Sequence, residues 1–139
     1  MKRNLQNFNL QPADRIVVPK SDLRWVQHHA IYLGKDANYI DWFAENKFGK
    51  GVQIVNAHQF FHDVIEITRV ETFNGTQTQR KQAVLSALSL KGTNYDLLQF
   101  NCEHYANLVQ HKQQVSDQVK TGLALGLIVL FVGIFFNNN

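Results

Sequence analysis

The hydrophobic pattern of this chain changes period partway along, and that change limits what it can fold into. Up to about residue 70 the apolar residues fall in short β-branched or aromatic runs: "RIVV" at 15–18, closed by Pro19, "VQHHAIYLG" at 26–34, "NYIDWF" at 38–43 and "GKGVQIV" at 49–55. A further run, "VIEITRV" at 64–70, alternates Val64, Glu66 and Thr68 with Ile65, Ile67 and Arg69. Such runs read as strands, and strict alternation marks a half-buried one. The turn-like "GKDA" at 34–37 makes a hairpin of the second and third runs. Between strands, "NAHQFFHD" at 56–63 reads as a short helix with Asn56 as its cap. Beyond residue 75 the period becomes helical. Residues 76–90 place Ala83, Val84, Ala87 and Leu88 on one face, and Lys91-Gly92 supplies a stop. A second helix begins near Asn101, with Cys102, Tyr105, Ala106 and Val109 on one side and Glu103 in its first turn. The expected fold class is α+β: an antiparallel β-sheet packed with two main helices.

A length of 139 residues fits one domain, and 45% hydrophobic with 18% charged residues is enough for a core. The single cysteine cannot form an internal disulfide, so the fold must stand without one. The net charge of +3 comes from scattered cations with no run of four or more, which argues against a nucleic-acid partner. The amino-terminal stretch "MKRNLQNFNLQPADR" has no apolar core of signal-peptide length.

The carboxyl terminus differs. Residues 121–136, "TGLALGLIVLFVGIFF", hold no charge; as a helix they span roughly 24 Å, short of a hydrocarbon core of about 30 Å unless flanking Asn or bilayer thinning closes the gap. This reads as a single-pass C-terminal transmembrane anchor over 120–139, behind a folded domain over 1–119. Lys112 and Lys120 precede the apolar run and no cation follows it, which places the domain on the cytoplasmic side. Gly122 and Gly126 form a GxxxG pair that could let two anchors dimerise.

"FNCEHYANLV" at 100–109 contains that one cysteine, at the head of the second helix. The positive end of the helix dipole and its unpaired N–H groups stabilise a thiolate and can donate to an oxyanion formed when sulfur attacks a carbonyl. A base must come from six histidines: 28, 29, 58, 62, 104 and 111. His104 lies about 200° around the helix from Cys102 and points elsewhere. His58 and His62 have zinc-like i,i+4 spacing, but "HQFFH" lacks the Glu of H-E-x-x-H, a weak metal signal. His28 and His29 enter a strand, so one faces the helices and the other faces away. One of these two is the base.

"HHAIYLG", followed about seventy residues later by "NCEHYA", resembles the lecithin:retinol acyltransferase-like family, whose pattern is H-W-A-I-Y-x-G or H-Y-G-I-Y-x-G and then N-C-E-H-F. The resemblance covers roughly residues 14–109. It implies a papain-like, circularly permuted fold with Cys102 as nucleophile and His28 as base, His29 taking the place of an aromatic residue on the opposite face. The family's third polar residue is usually a second histidine in a stretch like V-I-H-Y; "NYIDWF" puts Asp41 in that slot after one extra residue in the turn. A carboxylate there can accept the far ring N–H of His28 and fix its tautomer. Tyr32 belongs to the first block, and Asn101, Glu103 and His104 brace the turn that carries the nucleophile.

A helix-capped thiol with a strand histidine supports acyl transfer through a thioester and calls for no cofactor and no metal. Family members that resemble the chain remove acyl chains from glycerophospholipids, and some pass the chain to an amine or alcohol. The implied substrate is therefore a phospholipid or other acyl ester, held within reach by the membrane tail. Two alternatives stand beside it: a papain-like peptidase or amidase, and a catalytically silent membrane-anchored adaptor, for which the Asp41 departure is the best support.

Overall fold

A computed structural model describes residues 5–20, 26–64 and 66–125. After a single 3₁₀ turn, Leu5–Phe8, come the strands β1 (Arg15–Pro19), β2 (Gln27–Lys35), β3 (Asp41–Lys47) and β4 (Gly51–Asn56). The short helix α1 (Ala57–Phe60) and the three-residue strand β5 (Arg69–Glu71) follow. Three helices complete the described chain: α2 (Gln77–Ser89), α3 (Cys102–His111) and α4 (Asp117–Leu125). The strands form one five-stranded antiparallel sheet in the order β4-β3-β2-β1-β5. The protein is α+β, as the change of period requires.

Each helix start has its cause in sequence. Asn56 and Gln59 form a capping box for α1, Thr76 and Gln79 one for α2, and Asn101 and His104 one for α3. These reciprocal bonds satisfy N–H groups that have no partner inside the helix.

Alternation along β2 splits the core in two. Ile31 joins Ala44, Val52, Ala83, Ala87, Tyr105, Ala106 and Val109 beneath α2 and α3. Ala30 and Tyr32 join Ile16, Val18, Phe43, Val55, Phe60 and Val64 on the other face. The small side chains of Ala83, Ala87 and Ala106 let the two helices approach closely, and the Tyr105 hydroxyl donates to the Ala87 carbonyl at 3.0 Å. Of the apolar face expected on α2, Ala83 and Ala87 are buried whereas Leu88 is exposed. Arg80 is buried on that helix instead.

Two expectations are corrected. The third strand begins at Asp41, not Asn38, because the Asp36 carboxylate accepts the N–H groups of Asn38 (2.8 Å) and Ile40 (3.0 Å) and holds 36–40 as a turn, with Tyr39 at a positive φ of 61°. The strand expected over 64–70 is paired only at Arg69–Glu71, along the free edge of β1. The last described helix, α4, begins at Asp117, just upstream of the apolar run. Among the described residues no helix is long and apolar enough to cross a membrane. The expected anchor lies mostly at 126–139, outside the described residues, as does Gly126.

Arg80 ties α2 to the entrance of β1. Its guanidinium donates to the Asp14 carboxylate (2.7 Å), the Pro12 carbonyl (2.6 Å) and the Phe73 carbonyl (3.0 Å). Asp14 also accepts the N–H groups of Gln11 and Phe73. Removing one partner of a buried ion pair strands the other charge in a poorly solvated site. Arg80→Met is expected to cost about 3 kcal/mol of stability, read as a lower midpoint in urea unfolding.

Candidate active site

The site is assembled from the first turn of α3 and the first residues of β2. Asn101 is extended, and its side-chain oxygen accepts the N–H groups of Glu103 (2.9 Å) and His104 (3.0 Å). Its side-chain amide donates to the Leu97 carbonyl (3.1 Å). His104 closes the cap, its Nδ1 accepting the Asn101 N–H at 3.1 Å. Burial lowers the His104 pKa more than nearby Glu103 and Asp96 raise it, so the ring stays neutral and able to accept that bond. Asn101 and His104 brace the nucleophile turn, and neither faces Cys102 as a base.

Cys102 is buried at the first position of α3, its Sγ 3.7 Å from the Gln27 carbonyl and near enough to the His28 ring to raise that ring's pKa. The cap consumes the N–H groups of the next two residues, so the Cys102 N–H itself is the donor of this turn best placed for an oxyanion.

His28 is the second residue of β2 and lies on the face carrying Ala30 and Tyr32, with its ring 6.1 Å from that of Phe60. It meets Cys102 at the end of the sheet, where the amino terminus of α3 reaches past the strand. His28 Nε2 lies 2.5 Å from Glu45 Oε2, which leaves Nδ1 to receive the thiol proton. The other Glu45 oxygen accepts from Gln53 at 2.7 Å.

Burial alone would depress the His28 pKa, but the Glu45 charge, the bonds to Cys102 and Glu45 and the nearby sulfur outweigh it and raise the value to about 9. Burial likewise opposes the Glu45 charge, and His28 overcomes it, with help from Gln53 and Lys47, bringing the value to about 2. The pair is a buried imidazolium–carboxylate.

Asp41 is not part of it. Its carboxylate accepts from the Tyr32 hydroxyl (2.7 Å) and from Lys35 Nζ (2.7 Å). The register explains why: Asp41 sits opposite Lys35 at the hairpin end of β3, whereas Glu45 sits opposite Ala30 and diagonally across from His28. Four residues of strand separate the two carboxylates by about 13 Å. The carboxylate that meets His28 is therefore Glu45, not Asp41. Both positions have the same parity, so counting back from a turn that ends at Ile40 would have pointed to it. Burial pushes the Tyr32 hydroxyl pKa up, as does Asp41, so Tyr32 stays a donor that packs against Phe43.

His29 faces the helix layer. Its Nδ1 accepts from Arg15 Nε at 2.8 Å, and Arg15 in turn donates to the Asn107 side chain on α3 at 2.5 Å. Burial and the charges of Arg15, His28 and Arg69 push its pKa well down, so it is a neutral acceptor in a structural network. His58 and His62 do not share a helix, because α1 ends at Phe60; His62 pairs with Asp63 at the surface. Two side chains missed in the sequence stand in the electrostatic field of Cys102: Lys20, whose pKa burial lowers, and Tyr95, whose hydroxyl burial pushes up. Neither belongs to a recognisable motif.

Glu103 turns away from the thiol, one of its oxygens accepting from the Ser116 hydroxyl (2.5 Å) and the Gln118 N–H (3.0 Å). Compared with known proteins, the chain matches no family model and no curated protein.

The His28–Glu45 pair dictates a pH dependence. With the His28 pKa raised from 6.5 to about 9, its stabilising share is complete below 6.5 and is lost as pH rises through about 9. With the Glu45 pKa lowered from 4.5 to about 2, its share is complete above 4.5 and is lost as pH falls through about 2. Wild-type protein is therefore expected to melt at a lower temperature at about pH 9.5 than at about pH 6, and Glu45→Gln to lose most of that difference. Calorimetry at the two pH values checks it, and an equal drop in both proteins would count against the pair.

Proposed function

We propose that the chain is a cysteine-dependent acyl hydrolase or acyltransferase of the lecithin:retinol acyltransferase-like family, with a papain-like, circularly permuted fold, acting on acyl esters of membrane phospholipids. One observation carries this reading. Cys102 and His28, far apart in sequence and each inside one of the two blocks that resemble the family, are brought together, with the Cys102 sulfur 3.7 Å from the carbonyl of the residue before His28 and Glu45 bonded to the histidine.

The chemistry follows from that arrangement. Cys102 Sγ attacks the ester carbonyl carbon as the thiolate of a thiolate–imidazolium pair, its proton already held by His28 on Nδ1. Negative charge collects on the carbonyl oxygen, where the Cys102 N–H can donate to it. Collapse breaks the carbon–oxygen bond, and the departing alcohol takes the proton back from His28. A thioester remains on Cys102. Water, or an alcohol or amine, then attacks the thioester with His28 again as base and releases a fatty acid or a transferred acyl product. Glu45 keeps the imidazole oriented and stabilises its charged form.

The apolar run at 121–136 supports a single-pass C-terminal membrane anchor, with Lys112 and Lys120 on the cytoplasmic side and Gly122 and Gly126 available for dimerisation. The anchor keeps the site among lipid esters rather than soluble peptides. A silent adaptor drew its support from the departure at Asp41; with Glu45 against His28 that support falls away.

The test is intact-protein mass spectrometry of the full chain after brief exposure to phosphatidylcholine vesicles. A gain of one fatty acyl mass, absent in Cys102→Ser, is expected; no adduct with the lipid unconsumed would overturn the reading, and amide or muropeptide cleavage without an adduct would replace it with the peptidase. In turnover assays His28→Ala should be inactive, and Glu45→Gln should lose about 10²-fold in kcat. Asp41→Asn should stay within about twofold of wild type, the usual range for a change away from the reacting atoms. A larger loss at Asp41 than at Glu45 would reverse the assignment of the third residue.

A further inference from the structure

We propose that Gln118 is a positioning residue for the Cys102–His28 pair, acting through the main chain of Gln27. The proposal rests on the reading of Cys102 as nucleophile, and it arises from a gap at the end of the sheet.

The main-chain groups of Val26 and Tyr32 bond toward β1 and the segment before it, with Lys20 N–H to the Val26 carbonyl at 2.8 Å and Tyr32 N–H to the Asp14 carbonyl at 2.8 Å. Antiparallel strands alternate the direction of these groups, so those of Gln27 point the other way, toward β3. The β2–β3 register runs no further toward this end than Ala30 opposite Glu45, and β3 itself ends at Lys47. The Gln118 side chain fills that place. Its Oε1 accepts the Gln27 N–H at 2.9 Å and its Nε2 donates to the Gln27 carbonyl at 3.2 Å, as a strand residue would.

This amide therefore extends β3 by one pairing unit, and it does so at the residue before His28. The same Gln27 carbonyl faces the Cys102 sulfur at 3.7 Å. Gln118 is tied to the nucleophile's helix as well, through its N–H to Glu103 Oε2 at 3.0 Å. Ser116, almost fully buried, bonds the same carboxylate oxygen and lies 3.4 Å from the Asn101 amide. One residue of α4 thus bonds both the strand that carries the base and the helix that carries the thiol. Without it, two main-chain bonds at Gln27 are lost and the first residues of β2 are free to shift against α3.

Gln118→Met keeps the volume and removes both side-chain bonds. An effect of about tenfold, equivalent to about 1.4 kcal/mol, is expected. In the full chain, alkylation of Cys102 by iodoacetamide at neutral pH should slow by about that factor. In phospholipid turnover, kcat should fall similarly with KM unchanged. Hydrogen exchange at the Gln27 amide should quicken, while Tyr105 and Ala106 in α3 keep their protection. Gln114→Ala, which removes an exposed bond to the Gln99 carbonyl nearby, should change none of these. Alkylation and exchange need no acyl substrate, so they decide the role of Gln118 even if the lipid reading fails. Wild-type alkylation and wild-type Gln27 exchange in Gln118→Met would overturn the proposal, as would a uniform loss of protection throughout α3.

Discussion

The first turn of α3 is where most of this molecule is joined together. A helix start exposes N–H groups that something must satisfy, and here each consecutive side chain takes a separate part of the task. Asn101 caps the turn and reaches Leu97, His104 closes the box on Asn101, and Glu103 binds the entrance of α4. Cys102 alone makes no bond within the turn: its sulfur faces β2. The bonding on both sides leaves the thiol little freedom, and a reacting atom benefits from such constraint. The apolar side of the same helix, Tyr105, Ala106 and Val109, presses on β2 and β3 and brings that turn to the sheet's end.

At that end the decisive term is electrostatic. A buried imidazole by itself sheds its proton, and a buried carboxylate by itself takes one up. Set 2.5 Å apart, His28 and Glu45 reverse both tendencies. The adjacent residue shows the opposite outcome. His29 is equally enclosed, but its neighbours are Arg15 and His28 rather than a carboxylate, and it stays neutral. Two consecutive histidines on one strand thus have different protonation states because alternation sends them to opposite faces. The face with the acid holds the base of the proposed reaction, and the face with the arginine holds a structural acceptor.

Much of this was legible in the sequence. Periodicity located four of the five strands to within a few residues, as well as both main helices, and Asn56 was readable as a cap and Asn101 as a helix start. The pairing of Cys102 with His28 was suggested by the two motif blocks. Misplacements came where a side chain intervened in the main chain. Asp36 captured the N–H groups of Asn38 and Ile40 and lengthened the hairpin turn, which moved the start of β3 and with it the choice between Asp41 and Glu45. Val64 looked like the start of a strand but is used as core packing instead. Arg80 lies outside the apolar face read for its helix and is nevertheless a buried tie.

By itself, then, the sequence determined the α+β class, the order of elements, the caps and a thiol at a helix start, because each depends on residues within a turn or two of one another. Only the tertiary structure decided which carboxylate meets His28, which histidine faces the helices, and that Gln118 completes the strand end. Those outcomes depend on cross-strand register and on where a strand stops. A shift of a few residues in one turn moves every later partner by the rise of the strand, and no local pattern records that shift.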